Sequence, residues 1–412
     1  MVLKRYRKPF VWIVSIALVL LAGAGGCAKA TPTPEPVMIS FAFSNSDTEY
    51  YQRILQKFNE VYPYITVNLQ PRRGDMLGGI GPGNADVFIS SQFAQAWLKE
   101  QGNILDLTPL TEQDKAFSLS DFYPGTLGLY SSKGQIWGIP AGVDLMVIYY
   151  NQDLFDQYGV EYPRTGWTWN DFLSTAMMLR DPEANVFGYT PNYGAFDALV
   201  FIYQHGGRIF DDLQTPTRTT FDDPLTIEAL EWYASLIYDT NVSPTPEQMR
   251  EAFSSNSDPR IGVQLGHIGM WSGLLSERNS TWMKDLRVGM VPMPVDKQAA
   301  TMTLIEGYFV SSQTQHIDAC WKWISFLSQQ FPERTIPVRE SLLESDEYET
   351  KAGSILANIA RISMRDALLL SSELAQFEEA LNVFNQAYEA IMAGTSSPQE
   401  AMTRAQQESK LK

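Results

Sequence analysis

The sequence predicts an α/β protein built from two large lobes, and three observations support this prediction. The chain has 412 residues, which exceeds the roughly 250–300 residues at which a single hydrophobic core stops growing. Its composition, 44% hydrophobic and 19% charged, is that of a globular protein rather than a disordered or multi-span membrane protein. Strand patterns also alternate with amphipathic helix patterns along the chain, as they do in α/β folds.

The first folded segment has the pattern strand, helix, strand. Residues 37–43 are rich in β-forming side chains, residues 46–49 have the spacing of a capping box, and the apolar positions that follow fall on one helical face. Residues 65–69 and 86–90 predict two further strands. This alternation predicts a mostly parallel sheet, in which ligands bind at the carboxyl ends of the strands.

The middle and the end of the chain continue this alternation. Residues 145–150 predict a strand, and Thr168 has the position of an N-cap for the helix that follows. Apolar residues from Leu374 to Ile391 recur every three or four positions, which predicts a C-terminal helix. A last helix is expected after Ser397, with Pro398 in its first turn.

The N-terminus has the organisation of an export signal. Residues 1–26 contain a basic start, an apolar run and a stretch of small residues, and Cys27 follows directly. A membrane-spanning anchor is the alternative, but the uninterrupted apolar run is shorter than the roughly 20 residues that cross a bilayer. Residues 27–36 are rich in proline, which predicts an extended tether.

The charge balance and the absence of known motifs exclude several classes of function. The formal net charge is −16, and no basic cluster outside the leader could displace counterions from a phosphate backbone, so nucleic acid is not an expected partner. His205, His267 and His316 lie far apart with no Cys or carboxylate at metal-ligand spacing, so no metal site is expected. The glycines of residues 78–83 lack the register of a phosphate-binding loop, so no cofactor is expected.

Aromatic residues in predicted loops point toward carbohydrate. The chain has 10 Trp, 19 Tyr and 21 Phe. Aromatic planes cover the apolar faces of sugar rings, and neighbouring carboxylates and amides can bind the hydroxyls. For any single one of these aromatics, ordinary packing is a more common explanation than ligand contact, above all for Trp169 in the first turn of a capped helix. The residues concerned are Trp137, Trp167, Trp169, Tyr193, Trp271 and Tyr308.

Several segments together resemble one known family. They are Gly134 to Pro140 with the sequence GQIWGIP, residues 147–155 with VIYYNQDLF, residues 105–110 with LDLTPL, residues 288–294 with VGMVPMP, and residues 306–310 with EGYFV. This series resembles the bacterial extracellular solute-binding proteins of the sugar type, family 1, the maltose-binding-protein-like receptors of ABC importers. The small residues before Cys27 are similar to a bacterial lipobox, in which the cysteine is lipidated.

The resemblance implies a type II periplasmic-binding-protein-like fold, with a ligand cleft between two lobes joined by multiple crossing segments. Lobe 1 is expected to contain residues 37–143 and about 300–335, and lobe 2 residues 144–299 and about 336–412. The implied function is non-enzymatic. Such a monomer captures a mono- or oligosaccharide by lobe closure and delivers it to the permease subunits of an ABC importer, while a lipid at Cys27 anchors it outside the cytoplasmic membrane.

Two other functions remain open at this point. A non-sugar solute, such as a glycerol phosphate or a polyamine, could occupy the same kind of cleft, and Arg72 and Arg73 are the basic pair that would favour an anion. A secreted carbohydrate-active enzyme is the third reading, because the chain contains many carboxylates, although no catalytic pair stands out.

The expected ligand-binding residues follow predicted strands or lie in the segments that resemble the family. They are Phe43, Ser44, Asn45, Ser90, Ser91, Gln92, Asp144, Trp271, Glu306, Gly307 and Tyr308. Gly269 and Gly273 around Trp271 suggest a bent backbone that presents the ring to a sugar. Structural roles are the alternatives: Ser44 and Asn45 could cap a helix, Asp144 could bind backbone at the hinge, and Tyr308 or Trp271 could pack in the core.

Overall fold

A computed structural model describes residues 35–74, 80–192, 194–253, 258–371 and 377–409. The strands in this part of the chain are β1 Val37–Ser44, β2 Ile65–Arg72, β3 Val87–Ser91, β4 Ser131–Ser132, β5 Gln135–Ile136, β6 Ile139–Asn151, β7 Phe187–Thr190, β8 Ile268–Leu274, β9 Val288–Pro292, β10 Thr301–Val310 and β11 Ala367–Leu368.

The α-helices are numbered in the same way. They are α1 Thr48–Val61, α2 Gln95–Glu100, α3 Thr108–Gln113, α4 Gln152–Tyr158, α5 Trp169–Leu179, α6 Ala195–Gln204, α7 Pro224–Tyr238, α8 Pro246–Ala252, α9 Pro259–Gln264, α10 Ile317–Leu327, α11 Glu340–Leu343, α12 Asp346–Ala352, α13 Ser354–Arg365, α14 Phe377–Met392 and α15 Pro398–Glu408. None of the helices in the described ranges is long and apolar enough to cross a membrane.

The main sheet has the strand order β2-β1-β3-β10-β6-β8-β7, with β9 paired to β6 and β11 paired to β10. The β1–β2, β1–β3 and β7–β8 pairs are parallel. The pairs that β10 makes with β3 and β6, and that β6 makes with β8 and β9, are antiparallel. The predicted mostly parallel sheet is therefore wrong for the middle of the molecule, because two strands return across it in the opposite direction.

Strand β6 is one of these crossing strands. Its first half pairs with β10, from Ile139 opposite Tyr308 to Leu145 opposite Thr303. Its second half, from residue 146 onward, pairs with β8 and β9 instead. Strand β10 behaves similarly, because its end pairs with β3 and its start with β11. The two strands thus connect one part of the sheet to the other.

A third connection lies beside β6. The backbone N–H of Ile336 donates to the carbonyl oxygen of Val143 at 2.8 Å, and the N–H of Val143 donates back at 3.0 Å. Gly142 makes this approach possible, because a Cβ at this position would overlap Oγ1 of Thr335. Three chain segments therefore run side by side between the lobes.

Two hydrophobic cores lie on the two faces of strand β6. Leu145, Val147 and Tyr149 belong to the core that also contains β1, β3 and α10. Met146, Ile148 and Tyr150 belong to the core formed with α5, α6, α7 and the two C-terminal helices. Successive side chains of a strand point to opposite faces, so a strand buried on both faces is continuously apolar, as residues 145–150 are.

The helix starts expected from the sequence are confirmed at two places and wrong at a third. Capping boxes form between Thr168 and Asp171 and between Ser397 and Glu400. The expected box at residues 46–49 does not form, because α1 begins at Thr48 and Asp47 makes no side-chain cap hydrogen bond. Asp47 instead turns toward the cleft described below.

The lobe boundaries and the leader stay predictions, with one difference from expectation. Arg339, expected in lobe 2, is buried against the rings of Phe117 and Phe122 and forms an ion pair with Asp121 at 3.1 Å. Beyond residue 336, the chain therefore still packs against residues 117–122, which were expected in lobe 1. The signal segment and Cys27 lie outside the described residues.

Candidate functional site: a cleft beside the crossing strands

A cleft of about 320 Å³ opens where the crossing strands meet the ends of β1, β3 and β8. Its walls come from three parts of the molecule, which are the strand ends and α1 on one side, the turn after β8 on the other, and residues 332–335. The lining includes Ser44, Asp47, Tyr50, Tyr51, Ser90, Ser91, Gly142, Asp144, Ser276, Glu277, Glu306, Tyr308, Glu333, Arg334 and Thr335.

The strand register explains why polar residues collect here. β1 and β3 are parallel neighbours, so their last residues, Ser44 and Ser91, reach the same edge of the sheet. Glu306 lies opposite Ser91 on one side and opposite Gly142 on the other. A β-bulge follows Glu306, and bulges redirect side chains locally. Glu306 therefore lies on the floor of the cleft.

Glu306 is the carboxyl group most affected by its surroundings. Burial, together with the nearby Asp47 and Asp144, raises its pKa to about 7 against the opposing charge of Arg334. Within the described residues its side chain makes no hydrogen bond or ion pair. Near neutral pH this group therefore exists in both protonation states, and both have hydrogen-bonding capacity directed at the cleft.

Asp47 and Arg334 form the rim on the side of α1. Arg334 Nη1 lies 3.7 Å from Asp47 Oδ1 and also donates to the hydroxyl of Ser46. Burial raises the pKa of Asp47 despite the opposing charge of Arg334. Arg334 is the only cationic side chain that lines the cleft within the described part of the chain.

Asp144 is held by backbone donors. Its Oδ1 accepts hydrogen bonds from the N–H of Ser276 at 3.0 Å and from the N–H of Leu145 at 3.1 Å. Burial raises its pKa, and the Ser276 hydrogen bonds and two nearby arginines act against that rise. Asp144 thus performs the structural role considered from the sequence, since it binds backbone at the crossing strand, and it also lines the cleft.

Three tyrosines supply the aromatic part of the wall. The side chains of Tyr51 and Tyr308 interact, and the ring of Tyr50 meets that of Tyr51 edge-on, with ring centroids 4.9 Å apart. All three are buried while lining the cleft. Such fixed rings offer an apolar surface beside the carboxylates, which is the combination that a sugar ring requires.

Residues 332–335 form a wall that both sides of the cleft hold in place. Arg278 donates to the carbonyl oxygens of Arg334 at 2.6 Å and of Glu333 at 2.8 Å. The carboxylate of Glu333 forms an ion pair with Arg53 of α1. A change in the angle between the two sides therefore has to rearrange contacts of this segment.

Six of the residues expected to bind ligand line this one cleft. They are Ser44, Ser90, Ser91, Asp144, Glu306 and Tyr308. Their convergence is geometric, and their contact with a ligand remains a proposal.

Four others do not line the cleft. Phe43 is buried, with its ring 4.6 Å from that of Tyr51, and Asn45 is exposed outside the lining. Gln92 is buried and uses its amide to donate to the Leu370 carbonyl at 3.0 Å and to accept from the Ile305 N–H at 2.7 Å. Gly307 lies against the ring of Tyr130, and a Cβ at this position would collide with that ring.

The placement expected for Trp271 is wrong. It lies in the middle of β8, is 1% exposed, and stacks on Tyr149 with ring centroids 5.8 Å apart. Gly269 and Gly273 do not bend the strand toward a ligand. They leave room for neighbours, since a Cβ at Gly273 would collide with the Tyr149 ring and one at Gly269 with Leu179.

Sequence reasoning also missed several lining residues. Asp47, Tyr50 and Tyr51 follow the end of β1, so the argument that selected Ser44 could have found them had the helical face not been assigned wholly to the core. No sequence pattern indicated Ser276, Glu277 or residues 332–335, which reach the cleft only through the tertiary fold.

Arg72, one of the two basic residues considered for an anionic ligand, makes its described hydrogen bonds inside the protein. The guanidinium of Arg72 donates to the carbonyl oxygens of Gly81 and Pro82, both at 3.2 Å, and to the side chains of Gln70 and Asn84. These bonds fix the loop before β3, so the donors of Arg72 are already used.

The α/β fold, with strands that cross between its two sides and a cleft beside those strands, is that of a two-sided solute-binding protein. Residues 44–330 match the bacterial extracellular solute-binding proteins, and the chain belongs to that family. The resemblance seen in the sequence is thereby confirmed. Family proteins of this kind act outside the cytoplasm, as the family's name states.

Individual relatives are distant. The chain is 22% identical over 289 residues to the arabinooligosaccharide-binding protein of Bacillus subtilis (strain 168). This match covers 68% of this chain and 63% of the relative, so the chain spans less than two thirds of the length of that relative. An ABC substrate-binding protein of Listeria monocytogenes, solved with cycloalternan, has a TM-score of 0.74 at 22% identity and covers 90% of this chain and 98% of its own. A maltose-bound T. maritima protein has a TM-score of 0.71 at 20% identity, with 90% and 98% covered. These likenesses establish the two-lobed fold.

Proposed function

We propose that this protein is an exported receptor of an ABC importer that captures a mono- or oligosaccharide and delivers it to the permease. Family membership supports the binding role. The relatives named above, one of which binds arabinooligosaccharides and two of which were solved with cycloalternan or maltose, favour carbohydrate as the ligand.

One observation carries the choice of site. The cleft at the crossing strands brings carboxylates, serine hydroxyls and tyrosine rings together from both sides. Sugar hydroxyls need donors and acceptors in close alternation, and a sugar ring needs an apolar face to cover it. Ser44, Ser90 and Ser91 supply hydroxyl groups, Glu306 supplies a carboxyl group without a described hydrogen-bond partner, and Tyr308 forms part of the aromatic surface.

Lobe closure is the proposed mechanism of capture. A ligand that touches both walls stabilises the closed arrangement, because it gains contacts there that the open arrangement does not offer. The crossing strands and residues 332–336 are the segments that would bend. An affinity near −8 kcal/mol, about micromolar, would load the receptor and still permit release to a transporter.

Anchoring by lipid at Cys27 and a monomeric state belong to the same proposal. The leader, the small residues before Cys27 and the proline-rich tether support the anchoring. A domain tethered in this way remains close to its permease while its cleft faces the surrounding medium.

Titration of the purified protein with a panel of mono- and oligosaccharides tests the proposal. Tryptophan fluorescence and calorimetry would both be followed, and a saturable response to one sugar class is expected. A response to peptides or glycerol phosphate, together with none to any sugar, would refute the sugar assignment. Chromatography of the recovered ligand tests the enzyme alternative, since cleavage of a bound glycan would show a carbohydrate-active enzyme.

A further inference from the structure

The charges around the cleft are unbalanced. Five carboxyl side chains line it, from Asp47, Asp144, Glu277, Glu306 and Glu333, whereas Arg334 is the only cation among the described lining residues. A neutral ligand would leave this excess of negative charge unchanged. The excess therefore favours a cationic ligand, provided that at least one of these carboxylates has no partner inside the protein.

Four of these carboxylates already interact within the protein. Glu333 is paired with Arg53, Asp47 is paired with Arg334, Asp144 accepts two backbone N–H groups, and Glu277 has an interaction of its own. Glu306 differs from them, because none of the described residues forms a hydrogen bond or ion pair with its side chain. Of the five carboxyl groups, Glu306 is also the one on the floor of the cleft, where β10 pairs with Ser91 of β3 on one side and with Gly142 of β6 on the other.

We propose that the cleft selects a solute that carries an ammonium group beside hydroxyl groups, an amino sugar, and that Glu306 is the residue that binds the ammonium. This inference rests on the proposed function and specifies its ligand class. Glu306 would then be the determinant of specificity, and the serine hydroxyls at the ends of β1 and β3 would bind the neutral part of the sugar.

Desolvation is the physical reason for this selectivity. Closure of the lobes removes water from the floor of the cleft, and a carboxylate that loses its water without a counter-charge is strongly destabilised. An ammonium group restores the balance through short charge-assisted hydrogen bonds. A neutral hydroxyl can donate to Glu306 but brings no charge.

The neighbours of Glu306 do not supply that charge themselves. The groups that interact with it are Asp47, Asp144 and Arg334, together with the tyrosine hydroxyls of Tyr51, Tyr130 and Tyr308. Arg334 forms its ion pair with Asp47 and its side chain is 46% exposed, so water screens its charge. The balance at the floor is thus negative, and the chain's formal charge of −16 favours the approach of cations in addition.

Protonation provides a readout specific to Glu306. With its pKa raised to about 7 by burial, the free cleft at neutral pH holds a proton on a large fraction of the molecules. Binding of an ammonium favours the carboxylate, so that proton moves to the buffer when the ligand binds. Binding of a neutral sugar favours the protonated group or leaves it unchanged, so no proton is released.

A matched set of ligands tests the proposal with the full-length protein. 6-Amino-6-deoxyglucose carries an ammonium that persists from about pH 6 to about pH 8, and glucose is its neutral partner. Glucosamine with N-acetylglucosamine, and chitosan with chitin tetramers, form two further pairs for the comparison of affinities, because their amines themselves titrate near neutral pH. Calorimetry in buffers of different ionisation enthalpy gives both the affinity and the protons released. Near pH 7 we expect at least a tenfold preference for the amine within one pair. For 6-amino-6-deoxyglucose, whose own charge does not change in this range, we expect proton release near pH 7 and about a tenfold loss of affinity between about pH 8 and about pH 6.

Substitutions test whether Glu306 is the residue that binds the ammonium group. Glu306→Gln should abolish both the preference and the proton release, whereas Glu161→Gln, at an exposed carboxylate outside the cleft, should leave both unchanged. If Glu306→Gln does not fold, the pH dependence and proton count of the unmodified protein decide the question alone. A preference that survives in a folded Glu306→Gln protein would overturn the role of this residue.

The outcomes separate this inference from the proposed function. Equal or tighter binding of the neutral sugars would overturn the inference and leave the sugar-receptor function intact. Binding of spermidine but of no sugar in either arm would overturn both, because the shared ammonium chemistry would then come from a polyamine. Absence of binding across the whole panel would likewise refute both.

Discussion

The N–H of Ser276 donates to Oδ1 of Asp144 at 3.0 Å, and this hydrogen bond joins the turn after β8 to the crossing strand β6. The same oxygen accepts from the N–H of Leu145. Asp144 is buried, and burial raises its pKa, so the protein keeps a carboxyl here at an energetic cost. The two backbone donors explain why an acceptor is required at this position.

Asp144→Ala should therefore destabilise the fold more than Asp144→Asn. Alanine leaves two backbone N–H groups without an acceptor, at about 1–3 kcal/mol, whereas asparagine retains an acceptor oxygen and removes a buried charge. Urea unfolding of both variants measures the difference in free energy of unfolding. Equal losses for the two variants would show that the charge of Asp144, rather than its hydrogen-bonding oxygen, holds the turn.

Gly142→Ala should separate two of the crossing segments. The added Cβ would overlap Oγ1 of Thr335 and lie 3.1 Å from its Cβ, and overpacking of this kind costs about 1–3 kcal/mol. Thr335→Ala removes the overlapping oxygen, so it should partly rescue Gly142→Ala in a double-mutant cycle. Strictly additive effects on the free energy of unfolding would contradict direct contact between Gly142 and Thr335.

Gly128→Ala is the matched control, because a Cβ added at Gly128 meets nothing within 4 Å. Gly134→Ala is unsuitable as a control, because Gly134 has a positive φ.

The sequence was sufficient for those parts of the fold that depend on local pattern. Helix caps at Thr168 and Ser397 are formed by side chains three residues from their partners, so spacing reveals them. The burial of residues 145–150 follows from their continuous apolar character. Placing Ser44 and Ser91 together required only the rule that parallel strands end at one edge of a sheet.

Long-range contacts were the part that sequence could not supply. Thr335 reaches Gly142 from 193 positions away in the chain only through the tertiary fold, and nothing in the sequence around either residue indicates it. Trp271 shows the opposite error. Glycines beside a tryptophan suggested an exposed bend, whereas their real function is to leave space for Tyr149 and Leu179.

Glu306 should make stability fall as pH rises toward neutrality. Its pKa of about 7 in the folded protein exceeds the ordinary value of 4.5, so the folded state binds the proton more tightly. The corresponding stability is fully present below about pH 4.5 and is lost as pH rises through about 7. Glu306→Gln should remove this component, at most about 3 kcal/mol. The comparison is the slope of unfolding free energy against pH for both proteins, and identical slopes would contradict the raised pKa.

Cys27→Ser should release the protein from the membrane. If Cys27 is the lipidated first residue of the mature protein, the unmodified protein should partition into detergent, and its N-terminal peptide should carry the added mass of acyl chains. The serine variant should lose both properties. Ala28→Ser, one residue further along, is the matched control and should behave like the unmodified protein. A water-soluble protein with an unmodified N-terminal Cys27 peptide would argue against lipidation.

Trp271→Ala should destabilise the protein while leaving ligand affinity within about threefold of the original value. The ring is buried in β8 against Tyr149 and outside the cleft lining, and truncation of a buried Trp costs about 3–5 kcal/mol. The indole Nε1 has no hydrogen-bond partner among the described residues, so Trp271→Phe should lose packing but no hydrogen bond and should cost less. Met177→Ala, at a position 55% exposed, is the surface control for melting temperature. A tenfold loss of sugar affinity with unchanged melting temperature would instead place Trp271 against the ligand, because only direct contact would weaken binding without weakening the core.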